Sequence, residues 1–502
     1  MNLLLRSVRR LFGRFRPVAK SRQRTFRPTL QQLEDRCVPA VTAMEFGIPM
    51  PASGPTSITR ASDGNLWFTE FNTDKIGRIT PAGAITAEIT LPVSGSGPLD
   101  IVSGPDGNLY FTERFSDKIG RINPNAGSTA AIQASLMEFS TAPGSGPTSI
   151  AVGPDGNLYF TEFNTDQIAR ITTGGAITQL ATLTAGAGPA GITNGPDGAV
   201  WFTEAGAGAI GRITTAGTVT NEFPLPVTTS DPENIVTGPD GALYFTETAT
   251  DKIGRITTAG AITEFTLQLG AIPSDITVGP GSALFFTESG LDRIGRLTAG
   301  TAGTLTEFSA GISMGSQPTG ITLGPDNAIW FTENAGNRIG RLGDVLAVGA
   351  DATGGTAVKT FFGNSTPLSS FLAFPGYNGA VRVAVGDVNG DGVLDTIVGA
   401  GPGAPGGHVK VFDGKTGALL QSFFAFPGYT GGIFVASGDV NNDGADDIIV
   451  GADAGAPGGH VKVFDGKTGN LLQSFFSFPG FTGGVFVASG DVNNDGADDI
   501  IV

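Results

Sequence analysis

Apolar positions along this chain come in short runs, each closed by a turn signal, and the runs recur in a fixed order. A brief Ile-Thr or Ile-Val run leads into Gly-Pro-Asp-Gly, and an aromatic run then ends in Phe-Thr-Glu. Lys-Ile-Gly-Arg-Ile-Thr follows, and a Thr-Glu-Phe-like run closes the unit. Runs rich in β-branched and aromatic residues between Gly, Pro and Asp predict strands, and steps such as Asp106-Gly107 and Ala82-Gly83 predict the turns. The unit occurs seven times, with Phe-Thr-Glu ending at Glu70, Glu113, Glu162, Glu204, Glu247, Glu288 and Glu333, at spacings of 43, 49, 42, 43, 41 and 45 residues. Four short strands at that period are the pattern of a propeller blade. The expected fold is therefore all-β, with a seven-bladed β-propeller in residues 41–343. Its last unit stops at Arg341-Leu342 without a Thr-Glu-Phe strand, while Met44-Glu45-Phe46 stands unpaired ahead of the first. The N-terminal strand is expected to complete the last blade and remove an exposed edge.

From about residue 344 the period becomes 52, and Asp387, Asp439 and Asp491 open equivalent loops. The first reads Asp-Val-Asn-Gly-Asp-Gly-Val-Leu-Asp, and the other two read Asp-Val-Asn-Asn-Asp-Gly-Ala-Asp-Asp. Oxygen ligands fall at positions 1, 3, 5 and 9, with a backbone carbonyl expected at 7, and the glycine at 6 permits a tight turn. That set suits a hard cation, and calcium is the natural one. The expected ligands are Asp387, Asn389, Asp391, Val393 and Asp395; Asp439, Asn441, Asp443, Ala445 and Asp447; and Asp491, Asn493, Asp495, Ala497 and Asp499. Asx turns holding no ion are the alternative. Strand residues such as Ile448-Ile449-Val450 follow each loop, in place of the helix and position-12 glutamate of an EF-hand. The loops resemble FG-GAP repeats of integrin-α-like propellers, and residues 344–502 are expected to form a partial propeller of that type, incomplete at its C-terminal end. Residues 405–450 and 457–502 differ at four positions only, so their sameness reflects duplication as much as function. His408 and His460 are read as strand-surface residues, and Phe423–Tyr429 as core plus turn.

Composition agrees with a turn-dense folded chain of two domains: 77 glycines and 31 prolines stand beside 40% hydrophobic residues in 502. Net charge is −16, yet residues 1–40 carry ten Lys or Arg against Glu34 and Asp35, which leaves residues 41–502 with 20 basic and 44 acidic side chains. A body of about −24 repels phosphate backbones, so nucleic acid is not an expected partner. Cys37 is the sole cysteine, which excludes a disulfide framework or thiolate metal site, and no run of 18 apolar residues predicts a membrane helix.

Residues 1–40 form a basic segment interrupted too often by arginine for an ordinary signal peptide. Within it, Arg27-Pro28, Leu30, Leu33-Glu34-Asp35-Arg36 and Pro39-Ala40 resemble the N-terminal motif of large exported proteins of planctomycete bacteria. The resemblance implies an extracellular or cell-surface destination.

Over about 300 residues the repeated Gly-Pro-Asp-Gly, Phe-Thr-Glu and Lys-Ile-Gly-Arg-Ile-Thr elements are similar to those of the virginiamycin B (streptogramin) lyase family. That resemblance implies a seven-bladed propeller that opens a cyclic ester-linked antibiotic by elimination, with magnesium held partly by acidic side chains and histidine serving as base and ligand. This chain departs from it, since His408 and His460 are its only histidines and both lie beyond the propeller. Elimination needs a group within reach of the abstracted proton and of suitable pKa. The seven glutamates of Phe-Thr-Glu are candidates in principle. Their repetition in every blade fits better a structural device, accepting hydrogen bonds or pairing with the equally repeated Arg78, Arg121, Arg170, Arg212, Arg255, Arg296 and Arg341. Differences between blades are more telling: Arg114 and Phe115 follow Glu113, and Asp231 and Glu233 precede the fifth blade, positions that fit one binding mouth and plain surface variation equally well. The expectation is an exported, non-catalytic binding or surface-scaffold protein, its partner an extracellular ligand, protein or glycan. The alternative is a magnesium-dependent carbon–oxygen lyase.

Overall fold

The computed structural model describes residues 40–350, 356–362, 366–391, 393–414, 416–456, 458–493 and 497–502. Cys37 and the export-motif residues up to Pro39 lie outside them. In the first unit the four predicted runs form one antiparallel sheet of Pro55–Arg60, Leu66–Glu70, Lys75–Ile79 and Ile85–Thr90, ordered as in sequence. The same order recurs five times, with first strands Pro98–Ser103, Pro147–Val152, Pro189–Asn194, Pro232–Thr237 and Pro273–Val278. A seventh sheet joins Pro318–Leu323, Ile329–Glu333 and Arg338–Gly349 to the N-terminal strand Ala40–Gly47, which pairs antiparallel with Met44 opposite Arg341. The spacing of 49 also finds its cause: a short helix, Thr129–Ala134, is inserted before the outer strand of the second sheet and buries Ile132.

The aromatic strands are buried on both faces and so read as continuous apolar runs. Trp67 and Phe68 are adjacent, point to opposite sides, and are both fully buried. The glycine of Lys-Ile-Gly-Arg leaves room for the ring opposite, since a Cβ at Gly77 would lie 2.2 Å from the Phe68 ring as it stands; the third sheet accommodates a methyl there, with buried Ala169 opposite Phe160.

Threonine of Phe-Thr-Glu joins the sheets into a ring. In each sheet the first strand bulges between its proline and its isoleucine. The threonine Oγ1 accepts the N–H freed there, at 2.8–3.0 Å. It also donates to a carbonyl on the first strand of the next sheet, at 2.7–3.2 Å. The last of these bonds runs from Thr332 to Thr56 of the first sheet and closes the circle. A second tie is made by Asp74, Asp117, Asp166, Asp251 and Asp292, held near φ +53°, each accepting two backbone N–H groups from the following loop.

The sequence boundary near 343 falls inside one strand. Arg338–Gly349 pairs with Ile329–Glu333 along its first half, and with Ala357–Phe362 along its second. Two further four-stranded sheets follow, opening with Val381–Gly386 and Ile433–Gly438, and then the hairpin Ala488–Gly490 with Asp499–Ile501. Residues 37–502 form one unit. No helix among the described residues is long and apolar enough to cross a membrane.

Candidate functional site at the propeller mouth

The seven glutamates do not gather at a site. Each is 0–2% exposed within its own sheet. Their pairing with the repeated arginines fails on register. Arg78 stands opposite Trp67, while Glu70 stands opposite Lys75. The arginine therefore lies over the indole at 5.5 Å and reaches the turn aspartate Asp63 at 3.7 Å. Arg170, Arg212, Arg255 and Arg341 pair likewise with Asp155, Asp197, Asp240 and Asp326, at 2.6–3.6 Å. Hydrogen bonding accounts for some of the glutamates, since Glu70 accepts from Thr73 at 3.1 Å and Glu113 from Ser116 at 2.9 Å. Burial, with nearby carboxylates adding, pushes Glu70, Glu113, Glu204 and Glu288 up to about 7 and Glu333 to about 8. Glu162 and Glu247 are raised as well, again chiefly by burial, so all seven carboxyls hold their protons well above the ordinary carboxylate range.

The variable positions converge instead. Second strands end and first strands begin at one mouth of the ring, where Pro98 stands opposite Glu113. Just before each first-strand proline, the backbone takes φ of +50 to +61° at Gly54, Gly97, Gly146, Gly188, Asp231, Ile272 and Gln317. Four are glycine, which adopts that conformation freely; a β-branched isoleucine there is strained. The exits from the second strands complement them. Phe71, Phe115 and Phe163 occupy space left by glycine, and a Cβ at Gly97 would meet Phe115 at 2.7 Å and Phe71 at 3.2 Å. Ile272 in turn lies over Gly290.

One arc of the mouth is therefore aromatic. Phe71 and Phe115 meet edge-on at 5.5 Å, and the Arg114 guanidinium lies over Phe163 at 5.2 Å. Phe115 is 64% exposed. Across from it, burial and Asp231 push Glu233 up to about 6, while Arg114 pulls it down. Deeper in the channel, the residue before each isoleucine forms a belt that repeat reading missed. Asp100 accepts from Ser57, Ser149 and the Ile150 N–H at 2.8–2.9 Å. Asp275 accepts from Asn234 and the Ile321 N–H, and burial raises it to about 7. The signal was present: Ser57, Asp100, Ser149, Gly191, Asn234, Asp275 and Gly320 vary at one position of otherwise similar strands.

In the C-terminal loops the carboxylates hold their own backbone. Asp387 accepts the N–H groups of Gly390 and Asp391, Asn389 that of Asp391, and Asp391 that of Val393, at 2.8–3.0 Å. Asp439 accepts from Asp443 and Gly444, and Asp443 from Ala445 and Lys467. Asn441 and Asn493 donate to Asp447 and Asp499. Position 7, Val393, Ala445 or Ala497, lies at the loop exit, and Asp495 is outside the described residues. Among the described residues no group of three acidic or histidine side chains converges as a metal cage. Carboxylates crowd the first loop all the same, and burial and then Asp387, Asp391 and Asp413 push Asp395 up to about 7. Asp447 rises to about 6 through burial, with Asp443 and Asp465 adding. His408 and His460 each bond a serine on the next strand, Ser422 or Ser474, at 2.9 Å.

A closed ring of four-stranded sheets with one chemically uneven mouth defines a β-propeller scaffold. The chain belongs to the virginiamycin B lyase family, whose model matches residues 34–133 and 128–343. An FG-GAP-like repeat model matches residues 439–502. Among solved structures, a streptogramin B lyase is 36% identical with a TM-score of 0.55, over 61% of this chain and 98% of that one. Selenomethionine-substituted virginiamycin B lyase from Staphylococcus aureus is 38% identical with a TM-score of 0.55, over 60% of this chain and 99% of its own. A catalytically inactive histidine-to-alanine variant of the Staphylococcus aureus enzyme with quinupristin matches with the same values.

Proposed function

We propose that this chain is an exported, non-catalytic binding or surface-scaffold protein that engages an extracellular ligand at the propeller mouth. One observation carries the reading: no histidine occurs between residues 41 and 343. In the Staphylococcus aureus relative, a single histidine-to-alanine change accompanies a catalytically inactive enzyme. The mouth here offers an arginine, aromatic faces and carboxylates, which suit recognition. Calcium ordering the loops that open at Asp387, Asp439 and Asp491 is part of the same proposal, and the crowded carboxylates around Asp395 support it. The N-terminal motif supports export, and cell fractionation tests it: protein found only in cytosol would refute it.

A second reading, a magnesium-dependent lyase, has one point in its favour. Glu233, near 6, is able to hold or move a proton close to neutral pH. Incubation of the purified protein with magnesium and quinupristin, followed by mass analysis, separates the two readings. Unchanged cyclic depsipeptide is expected. Linear product that disappears in E233Q would replace the binding reading with the lyase.

A further inference from the structure

The fourth sheet leaves a gap in the rim. Where neighbouring sheets raise Phe163 on one side and Asp231 on the other, its two rim segments read Ala185-Gly186-Ala187-Gly188 and Ala205-Gly206-Ala207-Gly208. These small residues are imposed by close backbone packing, since a Cβ at Gly206 would lie 2.3 Å from the Gly186 carbonyl and one at Gly208 2.1 Å from that of Thr228. Neither segment carries a side chain larger than methyl, and the Phe163 ring borders the stretch at Gly188, where a Cβ would meet it at 3.3 Å. Its two flanks differ in charge. On one, the half-buried Arg114 guanidinium rests on Phe163 and has no ion pair or side-chain hydrogen bond among the described residues. On the other stand Asp231 and Glu233, Asp231 at φ +55° in a position that is glycine in the first four sheets, and the Glu233 backbone packs against the fourth sheet, 2.4 Å from where a Cβ of Gly191 would lie.

From this geometry we propose that the notch over the fourth sheet takes a dipolar ligand, an amino acid or short peptide with free termini, its carboxylate on Arg114 and its ammonium on Glu233 and Asp231. The planar guanidinium suits bidentate recognition of a carboxylate, and the exposed Phe115 suits an aromatic side chain. Arg114 and Glu233 feel one another's charge without forming a salt bridge among the described residues, so a ligand's own charges can be met by both. The inference deepens the binding reading above and rests on it.

The test is calorimetric titration of the full chain with phenylalanyl-alanine, its N-acetyl form and its C-terminal amide. Wild type should prefer the free dipeptide over either blocked form by roughly tenfold, the worth of one charge-assisted hydrogen bond. R114Q should lose the preference over the amide and keep that over the acetylated form, and E233Q should do the reverse. F115A, on the exposed rim, checks that loss of aromatic surface weakens all three alike. Matching melting curves exclude misfolding. Wild type binding none of the three at millimolar concentration, or binding all equally, would overturn the proposal, as would R114Q and E233Q that discriminate like wild type. Quinupristin run in parallel separates the failures: uncleaved binding without dipeptide binding removes only the ligand class, whereas cleavage removes the binding reading itself.

Discussion

Replacing Glu288 by glutamine tests whether the repeated glutamates are neutral structural acids. Glu288 is fully buried, and neither of its carboxyl oxygens has a hydrogen-bond partner among the described residues. Burial, reinforced by Glu307 and Asp251 and opposed by Arg293, raises it from 4.5 to about 7. A folded-state pKa above the unfolded one means that the native state holds a proton which the unfolded chain has released between these two values. Stability is therefore highest below about pH 4.5 for this group and falls as pH rises towards 7. Between pH 5 and pH 8 the loss from this one side chain is on the order of 2 kcal/mol, from 1.36 kcal/mol per pH unit over the window where the proton counts differ. Glutamine keeps the shape and cannot ionise. Urea unfolding of wild type and E288Q at pH 5 and pH 8 should give nearly equal stabilities at pH 5, with the variant ahead at pH 8. A variant less stable than wild type by a comparable amount at pH 8 would show that the ionised carboxylate makes a favourable interaction, and the neutral-acid account would fall.

Three further outcomes follow from the same packing. Thr332→Val removes the hydroxyl that joins the last sheet to Thr56, and should cost about 1–3 kcal/mol while speeding amide exchange at the first strands of both sheets. A loss confined to the seventh sheet would argue against a closed ring. Gly77→Ala places a methyl against the Phe68 ring at a position that Ala169 fills in the third sheet, so the cost should stay within about 1–3 kcal/mol, measured by the urea midpoint. Chelating calcium from protein prepared in millimolar calcium should lower the melting temperature of the C-terminal repeats and move the propeller transition little; equal shifts in both would contradict separate stabilisation.

The C-terminal loops add a linkage visible only in three dimensions. Asp446, at position 8 of the second loop, accepts the N–H of Asp387 in the first at 2.8 Å, and its own N–H bonds the Asp387 carbonyl at 2.8 Å. The Asp498 N–H repeats the second bond towards Asp439. Leu394 fills position 8 in the first loop and packs with Ala347 and Val385. Asp446→Leu should therefore destabilise the first loop by about 0.5–1.5 kcal/mol, the net worth of the hydrogen bond it removes, although it alters no expected ligand. Retained calcium affinity together with retained stability would dismiss the linkage.

Much of the fold was legible from residues alone, because it rests on local signals repeated at a fixed period: aromatic runs, Asp-Gly turns, and the missing outer strand that Met44–Phe46 supplies. The glycine of Lys-Ile-Gly-Arg was visible too, though its reason, the Phe68 ring, was not. What the linear order hid were relations set by register and by ring closure. Arg78 and Glu70 recur together in every unit, yet pairing puts the arginine opposite Trp67 and the glutamate opposite Lys75, so their charges never meet. Arg114 and Glu233 lie 119 positions apart in the chain and share a mouth only because the sheets curve into a circle. Repetition determined the scaffold, since each blade is specified by contacts within one unit or with its neighbour. The functional face is decided by the few places where units differ, and only closure of the ring brings those places within reach of one ligand.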